Sequence, residues 1–60
     1  MVRGIAIEDN AKSGMTPCKG KTGMIDYSFT HKTGNVMFYP DDGIPYRCVL
    51  RKEYVKKEGE

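Results

Sequence analysis

Few residues in this chain are of a kind that does chemistry, and their spacing limits what they could do. Cys18 and Cys48 are the only cysteines and His31 is the only histidine. A zinc site built on these three would need an acidic fourth ligand or a second chain, because structural zinc takes four tetrahedral ligands. A disulfide between Cys18 and Cys48 would close a loop of about 30 residues, worth roughly 3–4 kcal/mol on the loop-entropy model. Two cysteines are a sparse set for a disulfide-built secreted domain, so two reduced thiols, one of them in the core, are expected. Asp41 and Asp42 are neighbouring carboxylates, but beside Gly43 such a pair caps a turn far more readily than it shares a proton. His31 falls in a turn and is expected to be exposed and inert. No serine or cysteine has a base set beside it, so nucleophilic catalysis has no support. The chain reads as a non-enzyme without cofactor or metal.

Gly14-Met15-Thr16-Pro17-Cys18-Lys19-Gly20-Lys21-Thr22 comes near to a phosphate-binding loop and fails on three counts. It has one residue too many between the first glycine and Gly-Lys-Thr. Such a loop must open a helix whose N-terminus faces the phosphate, yet an alternating, strand-like pattern follows. A nucleotide hydrolase also needs a parallel sheet that a chain of 60 residues cannot hold.

The remaining chemistry is that of binding, and it depends on which side chains share a face. The stretch Lys19–Leu50 organises the chain. It holds three alternating runs: Met24–Thr30, Asn35–Tyr39 and Tyr46–Leu50. These form an antiparallel meander in which Ile25, Tyr27 and Phe29, then Val36 and Phe38, then Tyr46, Cys48 and Leu50 turn inward. Residues opposite one another lie on the same side of a sheet. The expected register therefore sets Phe29 across from Val36 and Tyr27 across from Phe38. It also sets Phe38 across from Cys48 and Val36 across from Leu50. A four-residue turn, His31 to Gly34, closes the first hairpin, with Gly34 in the left-handed position. The loop through Pro40 and Pro45 closes the second, since proline cannot donate to a ladder.

Before the meander, Val2–Ile7 reads as a strand with Ile5 and Ile7 inward, and Gly4 marks a bulge or a close approach. Glu8–Gly23 reads as a long irregular loop, rich in turn formers, with Met15 as the anchor that returns it to the core. After the meander, Arg51–Tyr54 makes a short helical turn and Val55 a last strand. One domain spans residues 1–56, and 57–60 is a frayed tail.

The same register builds an outer face. It puts Asp26, Tyr39 and Arg47 in one row and Ser28, Met37 and Val49 in the next, with Arg51 following. Met37, Tyr39, Arg47, Val49 and Arg51 thus form the candidate face for a protein partner or a homodimer: an aromatic platform beside arginine, with a small apolar patch. The plain alternative is a cross-strand cation–π pair with Asp26 neutralising Arg47. Lys19, Lys21 and Lys32, with Arg47 and Arg51, are the candidate phosphate contacts if the partner is a nucleic acid.

Gly20-Lys21-Thr22-Gly23-Met24-Ile25-Asp26, a short Gly-x-x-Gly turn before an apolar strand, resembles the KOW motif of ribosomal proteins and transcription elongation factors. The order of elements and the closing Lys52-Glu53-Tyr54-Val55 are similar to SH3 domains. The resemblance implies an all-β, SH3-like barrel of five antiparallel strands, with a long first loop and a short C-terminal helical turn. The chain has no tryptophan, the residue SH3 domains use to grip proline-rich peptides, and their acidic first loop is reduced to Glu8-Asp9.

A net charge of +2 and a pI near 8.6 leave the partner open. No apolar run approaches a signal peptide's core or the roughly 18 residues of a membrane span, so a soluble, cytoplasmic protein is the expectation. The function expected first is a protein-interaction module, a small regulator or inhibitor of a larger protein. A KOW-like nucleic-acid binder comes second. An enzyme comes third and distant, by the one route of a symmetric oligomer that builds a site between chains.

Overall fold

A computed structural model describes residues 1–8 and 17–59. The protein is all-β. Five antiparallel strands, β1 (Val2–Ala6), β2 (Thr22–Asp26), β3 (Asn35–Pro40), β4 (Cys48–Arg51) and β5 (Val55–Lys57), form one sheet in the order β4-β3-β2-β1-β5. The sheet curls into a half-barrel. A single helical turn, α1 (Thr30–Thr33), links β2 to β3, and a 3-10 turn at Lys52–Tyr54 carries the chain from one edge strand to the other. The expectations for the long first loop and for Met15 fall largely on residues 9–16, outside the described residues. At its C-terminal end that connection is pinned: Gly20 N–H donates to Ala6 O at 2.8 Å and Ala6 N–H to Lys21 O at 3.0 Å.

The concave side holds Ala6, Cys18, Ile25, Val36, Phe38, Cys48, Leu50 and Val55, all buried, with Tyr27 and Tyr54 packed against them. Strands β3 and β4 pair as alternation requires, Phe38 with Cys48 and Val36 with Leu50.

Three expectations about the strands need correction. The first concerns β2, which ends at Asp26 rather than running to Thr30. The Asp26 carboxylate accepts the Ser28 backbone N–H at 2.9 Å, a local turn that takes that N–H away from any ladder. A helical turn follows within the span expected to be strand and tight turn. Its C-cap, Gly34, sits at φ 75° and donates to Thr30 O at 2.7 Å. Because this link is longer than the expected turn, Ile25, not Tyr27, lies across from Phe38. The slip is one full pleat, so every side chain keeps its face.

The second correction is to β1, where Gly4 and Ala6 point inward while Ile5 is half-buried and Ile7 is 43% exposed. Gly4 faces β5 and Ile25 so closely that a Cβ there would overlap Lys56 O and the Ile25 side chain. Only glycine fits that approach, and it fixes the parity of the strand. The third correction is Tyr46, expected inside but 77% exposed, because the chain reaches β4 only at Cys48.

At the C-terminal end β5 runs to Lys57, and Glu58 N–H donates to Arg3 O at 2.9 Å. Sheet pairing therefore continues past residue 56.

Candidate functional site

Cys18 and Cys48 are joined in a disulfide, and both lie in the core. This overturns the expected pair of reduced thiols. The bond ties the end of the first connection to the edge strand β4. Among the described residues no group of histidine, cysteine, aspartate and glutamate side chains is arranged to hold a metal. No helix among the described residues is long and apolar enough to cross a membrane.

The outer face of the sheet carries the candidate residues. Strand β3 presents Asn35, Met37 and Tyr39, and β4 presents Val49 and Arg51, because their neighbours Val36, Phe38, Cys48 and Leu50 turn inward. Met37 pairs across the ladder with Val49, and Asn35 with Arg51. On the other side Met37 faces Asp26, and Tyr39 faces Met24. The expected rows are therefore corrected: Asp26, Met37 and Val49 share one row, and Met24 and Tyr39 the next. Arg47 lies just before β4, exposed. No Asp26–Arg47 ion pair forms among the described residues; the Asp26 carboxyl is held below the usual range by the Ser28 backbone N–H and then the Ser28 hydroxyl. Val49 is 44% exposed, while Met37 and Tyr39 are half-buried. Tyr39 meets Tyr46 edge-to-face, with ring centres 6.4 Å apart. Among the described residues a cation–π contact lies elsewhere, with Lys57 Nζ 5.1 Å from the centre of the Tyr27 ring.

The candidate phosphate contacts do not gather into one patch. Lys19 pairs with Glu8 at 3.2 Å, and Lys21 pairs with Asp42 at 3.0 Å and donates to Ile44 O. Lys32 stands exposed on α1, beyond the opposite end of β2 from Lys21. Arg47 and Arg51, in contrast, have no carboxylate partner among the described residues.

A polar cluster that the sequence reading missed braces the loop between β3 and β4. Arg3 makes a two-pronged contact with Asp41, 3.1 Å from Nη1 to Oδ1 and 2.6 Å from Nη2 to Oδ2. Thr22 Oγ1 donates to the same carboxylate at 2.9 Å, and Asp41 N–H returns a bond to Thr22 O at 3.0 Å. Asp42 Oδ1 accepts Ile44 N–H at 2.9 Å, which is the turn-capping role expected of it. Glu58 approaches Arg3 Nε at 3.6 Å. The Arg3 and Thr22 hydrogen bonds hold the Asp41 carboxyl below its ordinary pKa, and the Ile44 N–H and Lys21 do the same for Asp42. Asp41 in turn raises the Arg3 guanidinium. Nothing in the spacing of Arg3 and Asp41 announces the pair, because only the ladder order sets β1 and the end of β3 on either side of β2, where Arg3 can reach Asp41 beside Thr22.

Acid should therefore weaken the fold in a defined window. A carboxyl whose folded pKa lies below its unfolded value stabilises the protein at pH values above about 4. That stabilisation is lost as pH falls through the lower, folded value. Urea midpoints should stay level from about pH 7 to 5 and drop below about pH 4. Asp41→Asn should lower the midpoint at pH 6 and shrink the acid drop. An unchanged drop in Asp41→Asn would assign the acid sensitivity to other groups.

Compared with models of known families, with curated proteins and with solved structures, the chain finds no match in any of the three.

Proposed function

We propose that this chain is a non-enzymatic protein-interaction module, a small regulator or inhibitor that docks on a larger protein through its outer sheet face. The contact residues are Met37, Tyr39, Arg47, Val49 and Arg51. The observation that supports this is the cross-strand pair of Met37 with Val49, an apolar centre on the outer side of a sheet whose core lies on the other side. Tyr39 continues it along β3 and Arg51 along β4. Aromatic and arginine side chains around a small apolar centre are the composition of energetically important contacts. The SH3-like build belongs to the same proposal. It draws on the order of elements: a first strand, three strands paired in sequence, a 3-10 turn and a closing strand beside the first.

A KOW-like nucleic-acid binder using Lys19, Lys21, Lys32, Arg47 and Arg51 has less behind it, since two of the five cations already face carboxylates. The two readings respond differently to salt. Phosphate-driven binding loses about 0.9 log units of affinity per log unit of salt for each phosphate contacted.

The experiment is an affinity pull-down from the source organism's lysate, with and without nuclease, using the wild type and Met37→Ser/Val49→Ser. Expected is a protein partner that survives nuclease and is lost with the double variant. Recovery of the same protein by both forms would place the interface elsewhere.

A further inference from the structure

We propose that the loop from Asp41 to Arg47 is the anchor of this surface, and that its partner is a protein segment offering an apolar pocket flanked by carboxylates. The inference rests on the outer-face reading above and names the partner's chemistry.

The first observation is a contrast within one loop. It is tied down as far as Ile44: the Asp41 carboxylate to Arg3 and Thr22, Gly43 N–H to Pro40 O at 3.1 Å, Ile44 N–H to Asp42, and Lys21 to both Asp42 and Ile44 O, while beyond it Tyr46 is steadied by the Tyr39 ring. Yet its two largest apolar side chains face solvent, Ile44 at 61% and Tyr46 at 77% exposure. A loop held this way has already given up the freedom that binding would otherwise remove, so its side chains can anchor a partner at a reduced entropic cost. An exposed tyrosine on a rigid base supplies large contact area with few rotors to freeze.

The second observation joins this loop to the sheet face. The Tyr46 ring meets Tyr39 edge-to-face, so Tyr46, Tyr39 and the Met37–Val49 pair form one continuous strip, with Ile44 two residues before Tyr46 in the chain.

The third observation is charge. Arg3, Lys19 and Lys21 each face a carboxylate of this chain, whereas Arg47 and Arg51, which flank Val49 in sequence, have none among the described residues. Both lie along the strip, Arg47 next to Tyr46 and Arg51 at the end of β4. A basic partner would bring like charges together, and a second copy would answer two arginines with only Asp26, whose carboxylate already accepts the Ser28 N–H. An acidic partner meets both arginines. The aliphatic Met37–Val49 centre and Ile44 suit a side-chain pocket better than the flat face of a base.

The test uses the full chain, disulfide intact. A random dodecapeptide display library is selected on the immobilised protein, and the leading peptide is synthesised and titrated. Enriched peptides should combine Asp or Glu with a large apolar residue. Affinity should fall roughly tenfold or more in Ile44→Ser/Tyr46→Ser and in Arg47→Glu. These side chains are exposed, and unchanged circular dichroism would confirm that the variants fold. If Ile44→Ser/Tyr46→Ser binds as wild type while Met37→Ser/Val49→Ser does not, the anchor is wrong and the sheet-face reading stands. If neither double variant loses affinity, both readings fall. Enrichment of basic or uncharged peptides, or no enrichment, overturns the acidic partner. Displacement of the peptide by a (dT)12 oligonucleotide at comparable concentration overturns it in favour of nucleic acid. A dimer in sedimentation that Ile44→Ser/Tyr46→Ser dissolves overturns it in favour of a second copy.

Discussion

Cutting Phe38 back to alanine should leave this protein largely unfolded at room temperature. Phe38 is completely buried at the middle of β3, across from Ile25 on one side and Cys48 on the other. Removing a buried phenylalanine side chain costs about 3–5 kcal/mol, the sum of lost transfer energy and the cavity left behind. A domain of this size has little margin. At roughly 0.05–0.15 kcal/mol per residue its whole stability is on the order of 3–9 kcal/mol. Among the described residues the buried side chains form one cluster on a single curled sheet, so the loss is not taken up by a second core there. Phe38→Leu, which keeps most of the volume, should cost much less. Urea unfolding followed by circular dichroism measures both. A Phe38→Ala protein whose midpoint stays near the wild-type value would mean that the concave side is not the principal core.

The second large effect is expected from the disulfide. Cys18 and Cys48 close a loop of about 30 residues, and opening it returns roughly 3–4 kcal/mol of conformational freedom to the unfolded chain on the loop-entropy model. Cys18→Ser/Cys48→Ser should lower the urea midpoint by a large fraction, and a thiol reductant should do the same to the wild type. Because both residues lie in the core, serine adds the cost of burying hydroxyls there, so Cys18→Ala/Cys48→Ala is the better control. The entropic part acts through the unfolded state and should appear in the alanine pair as well. If reductant leaves the wild-type midpoint unchanged, the bond contributes no stability in solution, and the two cysteines act only as small apolar core residues.

The two effects differ in how far they could be anticipated. Phe38 announces itself by alternation: Val36 and Phe38 share a face with Cys48 and Leu50, and the ladder pairs them as their spacing demands. The disulfide does not, because Cys18 belongs to no strand. Its approach to β4 depends on how the chain returns from β1 and is pinned at Gly20 and Lys21. The candidate face divides the same way. Met37, Tyr39, Val49 and Arg51 lie on the outer side as parity alone places them, although Met37 and Tyr39 are half-buried there rather than exposed. Which of them are neighbours across β2 does not, since one Asp26–Ser28 hydrogen bond ends that strand early and moves the register by a pleat. Alternation places Tyr46 inward, because it continues the run of Cys48 and Leu50. It lies outside because the loop before β4 is longer than the run suggests, and a braced loop can hold an apolar side chain in water.

The amino-acid order therefore specified what depends on neighbours along the chain: strand type, the side each residue faces within β2, β3 and β4, and a glycine where the helical turn had to end. The tertiary structure decided what depends on groups far apart in sequence. It set Gly4 inward against β5, brought Arg3 to Asp41 and Cys18 to Cys48, and left Ile44 and Tyr46 outside. The physical reason is one of range. Backbone sterics and pleat periodicity act over two to four residues and can be read locally. Close approach, ion pairing and cross-linking act through space, and the chain's neighbours in space exist only once the sheet has formed.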